Sequence, residues 1–254
     1  MRLIRRLLCL LVSVLCISHI SVSQQSYHQA SERNRVPGVG CPSDGQQGPV
    51  EAPKAPPTEV LASSREAQGL AYYKAEYGDG VLAPRGWHCF ATYGSSGIIL
   101  YVAPEALRRD DFFRENRSGF HGPAVELSTA SGGTSGRFTV AKKMARLFPE
   151  YRWFVQRVIA EGMEPAKDFP ADPFPNETLT YRDKRTVEYV TPAYTYGTGT
   201  DSSLMPTASP IEGMVTLHGE DLDAIQLSVR LPAQSRELAR VIVRQAEADV
   251  AREP

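Results

Sequence analysis

The stretch "IEGMVTLHGEDLDAIQLSVRL", residues 211–231, decides the fold class. Ile211, Gly213, Val215 and Leu217 alternate with polar positions. Ile225, Leu227, Val229 and Leu231 alternate more strictly with Gln226, Ser228 and Arg230. Successive side chains on a strand point to opposite faces, so this period of two predicts an antiparallel hairpin with one face buried and one in water. After Leu231-Pro232, the residues Leu238, Val241, Ile242 and Ala246 recur at helical spacing, with Ser235 as the expected N-cap.

Upstream, "GWHCFATYGSSGIILYV" (86–102) predicts a second hairpin. Trp87, Cys89 and Ala91 alternate with His88, Phe90 and Thr92, then Ile98, Leu100 and Val102 with Ile99 and Tyr101, around a "YGSSG" turn. Bulky residues on both faces suit a central place in a sheet. "AVELST" (124–129) is a shorter strand and "TLTYRDKRTVEYVT" (178–191) a further hairpin turning near Asp183-Lys184. "SREAQGLAYYKAEY" (64–77) reads as helical or irregular. "GRFTVAKKMARLFPEYRWFVQRVIAEG" (136–162) is helical, broken at Pro149 and stopped at Gly162. Strands and helices come in groups. The expected class is therefore α+β, a mainly antiparallel sheet with helices packed on one face, including a C-terminal helix.

The N-terminus bears on compartment. "MRLIRR", an apolar run from Leu7 to about Ile20, and Ser21-Val22-Ser23 describe a cleavable secretory signal over residues 1–23. The run is short for a membrane span, and no second long apolar run follows, so no transmembrane segment is expected after cleavage. The whole chain has 28 basic and 29 acidic residues; without Arg2, Arg5 and Arg6 the balance is 25 to 29, a net charge of −4. Cys9 and Cys16 leave with the signal. Cys41 and Cys89 remain, and in an oxidising compartment the pair is expected to form a disulfide. A loop of that length is worth roughly 4 kcal/mol by chain-entropy reasoning. A catalytic thiol at Cys89 fits poorly, because His88 points to the opposite strand face.

Three regions follow from this reading. Residues 1–23 form the signal, 24–58 a flexible Pro/Gly-rich arm, and 59–254 a single globular domain. "RVPGVGCPSDGQQGPVEAPKAPP" has almost no apolar periodicity, so the arm is expected to stay loose except where Cys41 ties it down.

Several clusters are candidates for chemistry. "GGTSGR" (132–137) precedes a helix, where free N–H groups attract anions; Thr134 and Ser135 also suit helix capping. The helix carries Arg137, Lys142, Lys143, Arg146, Arg152 and Arg157 against Glu150 alone, a cationic face for an anionic envelope polymer or a protein partner. The loop 192–210, "PAYTYGTGTDSSLMPTASP", sets Tyr194 and Tyr196 beside small polar residues and suits carbohydrate or peptide contacts. His218 lies near Glu220, Asp221 and Asp223. Asn116-Arg117-Ser118 and Asn176-Glu177-Thr178 are glycosylation sequons in a eukaryotic host. The sequence carries no ligand-spaced histidines, no phosphate loop and no serine-hydrolase elbow, and its acidic balance argues against nucleic acid. No cofactor or metal is expected. The function expected is that of an exported envelope protein, periplasmic or secreted, acting as a non-enzymatic binding or structural module. The alternative is a small exported hydrolase that brings His88, His121 or His218 together with Asp or Glu residues in a cleft.

Overall fold

The computed structural model describes residues 33–113 and 119–252. The expected signal segment, His28 and the sequon at Asn116 lie outside the described residues. The N-terminal part holds strands β1 (Arg33–Val36), β2 (Gly38–Gly40), β3 (Ser43–Gly45) and β4 (Thr58–Leu61), helix α1 (Ser64–Gln68), and strands β5 (Leu70–Lys74) and β6 (Val81–Pro84). Next come β7 (His88–Gly94), β8 (Gly97–Ala103), α2 (Asp110–Phe113), β9 (Ala124–Ala130), α3 (Arg137–Leu147) and α4 (Arg152–Ala160). The C-terminal part holds β10 (Thr178–Tyr181), β11 (Thr186–Thr191), β12 (Ile211–His218), β13 (Asp223–Arg230) and α5 (Leu238–Val250).

Eight strands form the main sheet in the order β10-β11-β12-β13-β9-β8-β7-β3. Its pairings are antiparallel except that β3 runs parallel to β7. The order β2-β5-β6 makes a smaller mixed sheet, and β1 pairs with β4. The three expected hairpins are β7–β8, β10–β11 and β12–β13, and the helix break falls at Pro149, between α3 and α4. The fold is thus sheet-rich with mixed α and β elements, its sheets are largely antiparallel, and it closes on a C-terminal helix.

Helices cover both faces of the main sheet, not one. On one face Leu100, Val102, Val125, Leu127, Ile225 and Leu227 pack with Val241, Ile242 and Ala246 of α5 and with the small sheet. On the other, Ala130, Val187, Tyr189, Val215 and Leu217 pack with Val140, Ala141 and Met144 of α3 and with Phe154 and Val158 of α4. Burying one such Val or Ile side chain contributes about 1.5–3 kcal/mol. The alternation in β13 therefore does not separate core from water. Gln226, Ser228 and Arg230 are as buried as their apolar neighbours.

The region expected as a flexible arm contributes strands from Arg33 onward. Its backbone does what its side chains cannot: Ala91 N–H donates to Pro42 O at 3.0 Å and Cys41 N–H to Lys74 O at 2.9 Å, so the segment extends existing sheet edges. A Cβ on Gly40 would run into the carbonyl of Pro53, so glycine there permits close packing of the crossing Pro-rich segment. The disulfide Cys41–Cys89 is formed, with Cα atoms 5.3 Å apart and Cys41 fully buried. Cys89 is thus a crosslink between this segment and β7.

Two helix starts differ from expectation. Helix α5 begins at Leu238 after a 3-10 turn at Ala233–Ser235, where Ser235 Oγ donates to Pro232 O at 3.3 Å and caps nothing. Within 64–77 the helical part stops at Gln68, closed at its start by a reciprocal cap between Ser63 and Glu66, and the chain continues as β5.

Candidate functional site

The polar side of β13 meets the polar side of β9. Gln226 lies opposite Ser128 and Ser228 opposite Glu126. All these groups sit beneath α3 and the loop 192–210, where an unpaired buried donor or acceptor would cost about 1–3 kcal/mol. The loop supplies the partners. Lys143 Nζ, from α3, donates to Gln226 Oε1 and lies 3.4 Å from Asp201 Oδ2. Gln226 Nε2 donates to Thr198 O at 2.8 Å. Glu126 Oε2 accepts the Ser203 N–H at 2.9 Å. Arg230 donates to Gly122 O at 2.9 Å and to Met205 O at 2.5 Å. Burial pushes that guanidinium below the ordinary arginine range.

Glu177 closes the network from the segment before β10. Its carboxylate accepts from Thr198 N at 2.8 Å, from Thr198 Oγ1 at 2.7 Å and from Thr191 Oγ1. A nineteen-residue connector that composition reads as loose is therefore tied down at Thr198, Asp201, Ser203 and Met205 by Lys143, Gln226, Glu126, Arg230 and Glu177, most of them buried, drawn from separate parts of the fold.

Where the loop meets α3 and the β7–β8 turn, a cleft of about 450 Å³ opens. Lys143, Glu126 and Asp201 bring three charged groups to it, and Ser128, Thr139 and Ser202 bring hydroxyls. The Tyr93 ring belongs to the opposite face of β7, where it packs edge-on against Tyr77 at 5.1 Å between centroids and its hydroxyl donates to Gly48 O at 2.6 Å. The cleft thus offers fixed donors and acceptors. Lys143 is held by Gln226 and Asp201 rather than aimed at a hydroxyl, and no histidine lines the cleft.

The residues singled out from sequence scatter around this site. Thr134 and Ser135 do not cap α3, whose N-cap is Gly136 without a side-chain bond. Thr134 Oγ1 donates instead to Ser95 O, and Ser135 Oγ lies 3.1 Å from Ser95 Oγ, so both fasten the helix entry to the β7–β8 turn. Arg137 grips Glu161 through two hydrogen bonds of 2.9 Å. Lys142 pairs with Glu164 at 2.8 Å. Arg146 donates to Asp172 O at 2.8 Å and lies 3.9 Å over the Phe174 ring. Of the nominated cations only Lys143 reaches the cleft. Tyr194 and Tyr196 project into solvent, 76% and 70% exposed. Tyr194 holds a left-handed backbone, φ 60°, fixed by its N–H donating to Thr207 O at 2.7 Å.

His88 and His218 stand apart. His88 opens β7 and His218 closes β12; four strand spacings of about 4.8 Å, or about 19 Å, separate those strands. The intervening antiparallel pairings also place the two residues at opposite ends of the sheet. Among the described residues no group of three or more His, Cys, Asp or Glu is placed to hold a metal ion, and no helix is long and apolar enough to cross a membrane. Glu126, Ser128, Glu177, Asp201 and Gln226 were not singled out from sequence. The available signal was "AVELST", a lone acid inside an apolar strand. Comparison with known protein families, characterised proteins and solved structures finds no match for this chain.

Proposed function

We propose that this protein is an exported, non-enzymatic binding module that recognises an uncharged, hydroxyl-rich saccharide of the cell envelope through the loop 192–210 and the cleft it walls. The observation that carries this reading is the tethering of the loop. Five polar side chains hold in place a segment that presents two solvent-facing tyrosines at one part and walls the cleft at another. A rigid loop that offers tyrosine rings and preset hydrogen-bonding groups binds at low entropic cost. The strained backbone of Tyr194 supports a role for that side chain beyond packing. Export is supported by the basic-apolar leader in the sequence and by the Cys41–Cys89 bond. The wide separation of His88 and His218, and the pairing of the α3 cations with Glu161, Glu164 and Asp201, favour saccharide binding over hydrolysis or capture of an anionic polymer.

The test is calorimetric titration of the mature protein with neutral envelope oligosaccharides, at low salt and again in 0.5 M salt. Binding that survives salt, and falls about tenfold in Tyr194→Ala or Tyr196→Ala, is expected. No binding of any neutral saccharide, or binding indifferent to both tyrosines, would overturn the proposal.

A further inference from the structure

A second cavity, of about 470 Å³, lies on the opposite face of the sheet, between α5 and strands β10 to β12. Arg240 and Arg244, one helical turn apart on α5, line it opposite the hydroxyls of Thr178 and Thr180. Arg240 makes no hydrogen bond or ion pair among the described residues. Arg244 uses one of its donors on Leu61 O at 3.1 Å and also feels the Glu66 carboxylate, with further donors of its fork left over. At one end of the cavity Arg182 lies between two carboxylates. It donates to Glu188 Oε1 at 2.6 Å and stands 3.7 Å from Glu247 Oε1. That Glu247 oxygen is buried and makes no hydrogen bond.

We propose that this cavity is a pH-gated site for a phosphate group carried on a soluble molecule, with Arg240 and Arg244 as its ligands and Glu247 as the gate. Paired guanidinium forks match the tetrahedral oxyanion geometry. The lining holds three arginines, Arg182, Arg240 and Arg244, against three glutamates, Glu188, Glu212 and Glu247, so its formal charge is zero with every group ionised. Protonating one carboxyl makes the lining cationic. Glu247 is the carboxyl placed to do so: burial, and then the adjacent Glu188, push its pKa up to about 7, against the opposing pull of Arg182. Asp183, on the same hairpin, pushes in the same direction. Beyond the Arg182–Glu247 contact, Lys184, Arg185 and His218 line an adjoining cavity of about 650 Å³. His218 therefore serves as the control position in the experiment.

The experiment is calorimetric titration with sulfate, a tetrahedral dianion whose charge is constant between pH 6 and pH 8. Sulfate is expected to bind about tenfold more tightly at pH 6, with affinity falling at least about tenfold in Arg240→Ala. Glu247→Gln is expected to bind at pH 8 as the unmodified protein does at pH 6, and His218→Gln to keep the normal pH profile. Glycerol phosphate is expected to displace sulfate at pH 6. Absence of sulfate binding at pH 6, binding unchanged in Arg240→Ala, a pH profile that follows His218, or failure of glycerol phosphate to compete would each overturn the assignment.

Discussion

The hydroxyl of Tyr189 on β11 passes over Gly213 on β12 to donate to Leu227 O on β13 at 2.8 Å, with Ser228 Oγ a further 2.7 Å partner. A phenol thus crosses an entire strand because that strand has no side chain at the crossing point. Burial raises the Tyr189 pKa, so it stays a neutral donor. The bond joins the outer half of the sheet to the polar network under the loop 192–210.

Gly213→Ala is therefore expected to be costly. Its Cβ would lie against Leu227 O and 2.5 Å from Tyr189 Oη, so the tyrosine must leave its position. We expect a loss of about 3 kcal/mol from overpacking and broken hydrogen bonds, and about 1–2 kcal/mol for Tyr189→Phe, which keeps the ring. Urea denaturation measures both. A Gly213→Ala protein as stable as the parent would show that the crossing is not needed.

Reduction of Cys41–Cys89, or Cys89→Ser, is expected to lower stability by up to about 4 kcal/mol, or about 10 °C in Tm. It should also speed tryptic cleavage after Lys54, since the bond holds the 33–58 segment on β7. Unchanged Tm and unchanged cleavage at Lys54 would refute that role.

Lys143→Met keeps the aliphatic stem and removes the cation that reaches Gln226 and Asp201. An unsatisfied Gln226 oxygen predicts a loss of about 1–2 kcal/mol. Faster hydrogen exchange is expected at the amides of Thr198, Gly199 and Ser203, which donate to the side chains of Glu177, Thr191 and Glu126. Lys142→Met, which removes a half-exposed pair with Glu164 and a cation–π contact with Phe169, is expected to change stability by less than about 1 kcal/mol. Equal effects from the two lysines would contradict the network.

Glu247 links stability to pH. Its pKa is about 7 in the fold, against about 4.5 for an exposed glutamate, so the folded state holds the proton more tightly than the unfolded chain. Folding is favoured most below pH 4.5, and that contribution is lost as pH rises to 7 and beyond. Between pH 5 and pH 8 the unmodified protein should lose about 2 kcal/mol relative to Glu247→Gln, partial exposure being allowed for. Parallel pH profiles for the two proteins would eliminate the linkage.

Local patterning was sufficient for much of this fold. The period of two at 225–231, the "YGSSG" turn, the break at Pro149 and the paired cysteines each carry their meaning within a short window or a simple count. Other features required the assembled chain. Gln226 and Arg230 read as a wet face because alternation reports a change of polarity, not the presence of water, and their partners Lys143 and Met205 lie many residues away. The segment around Cys41 reads as loose because its order comes from backbone bonds to β5 and β7, which no side-chain pattern encodes. The cleft is legible in neither way. It exists because groups brought together by long-range pairing satisfy one another, and desolvation makes any other arrangement of those buried groups more costly.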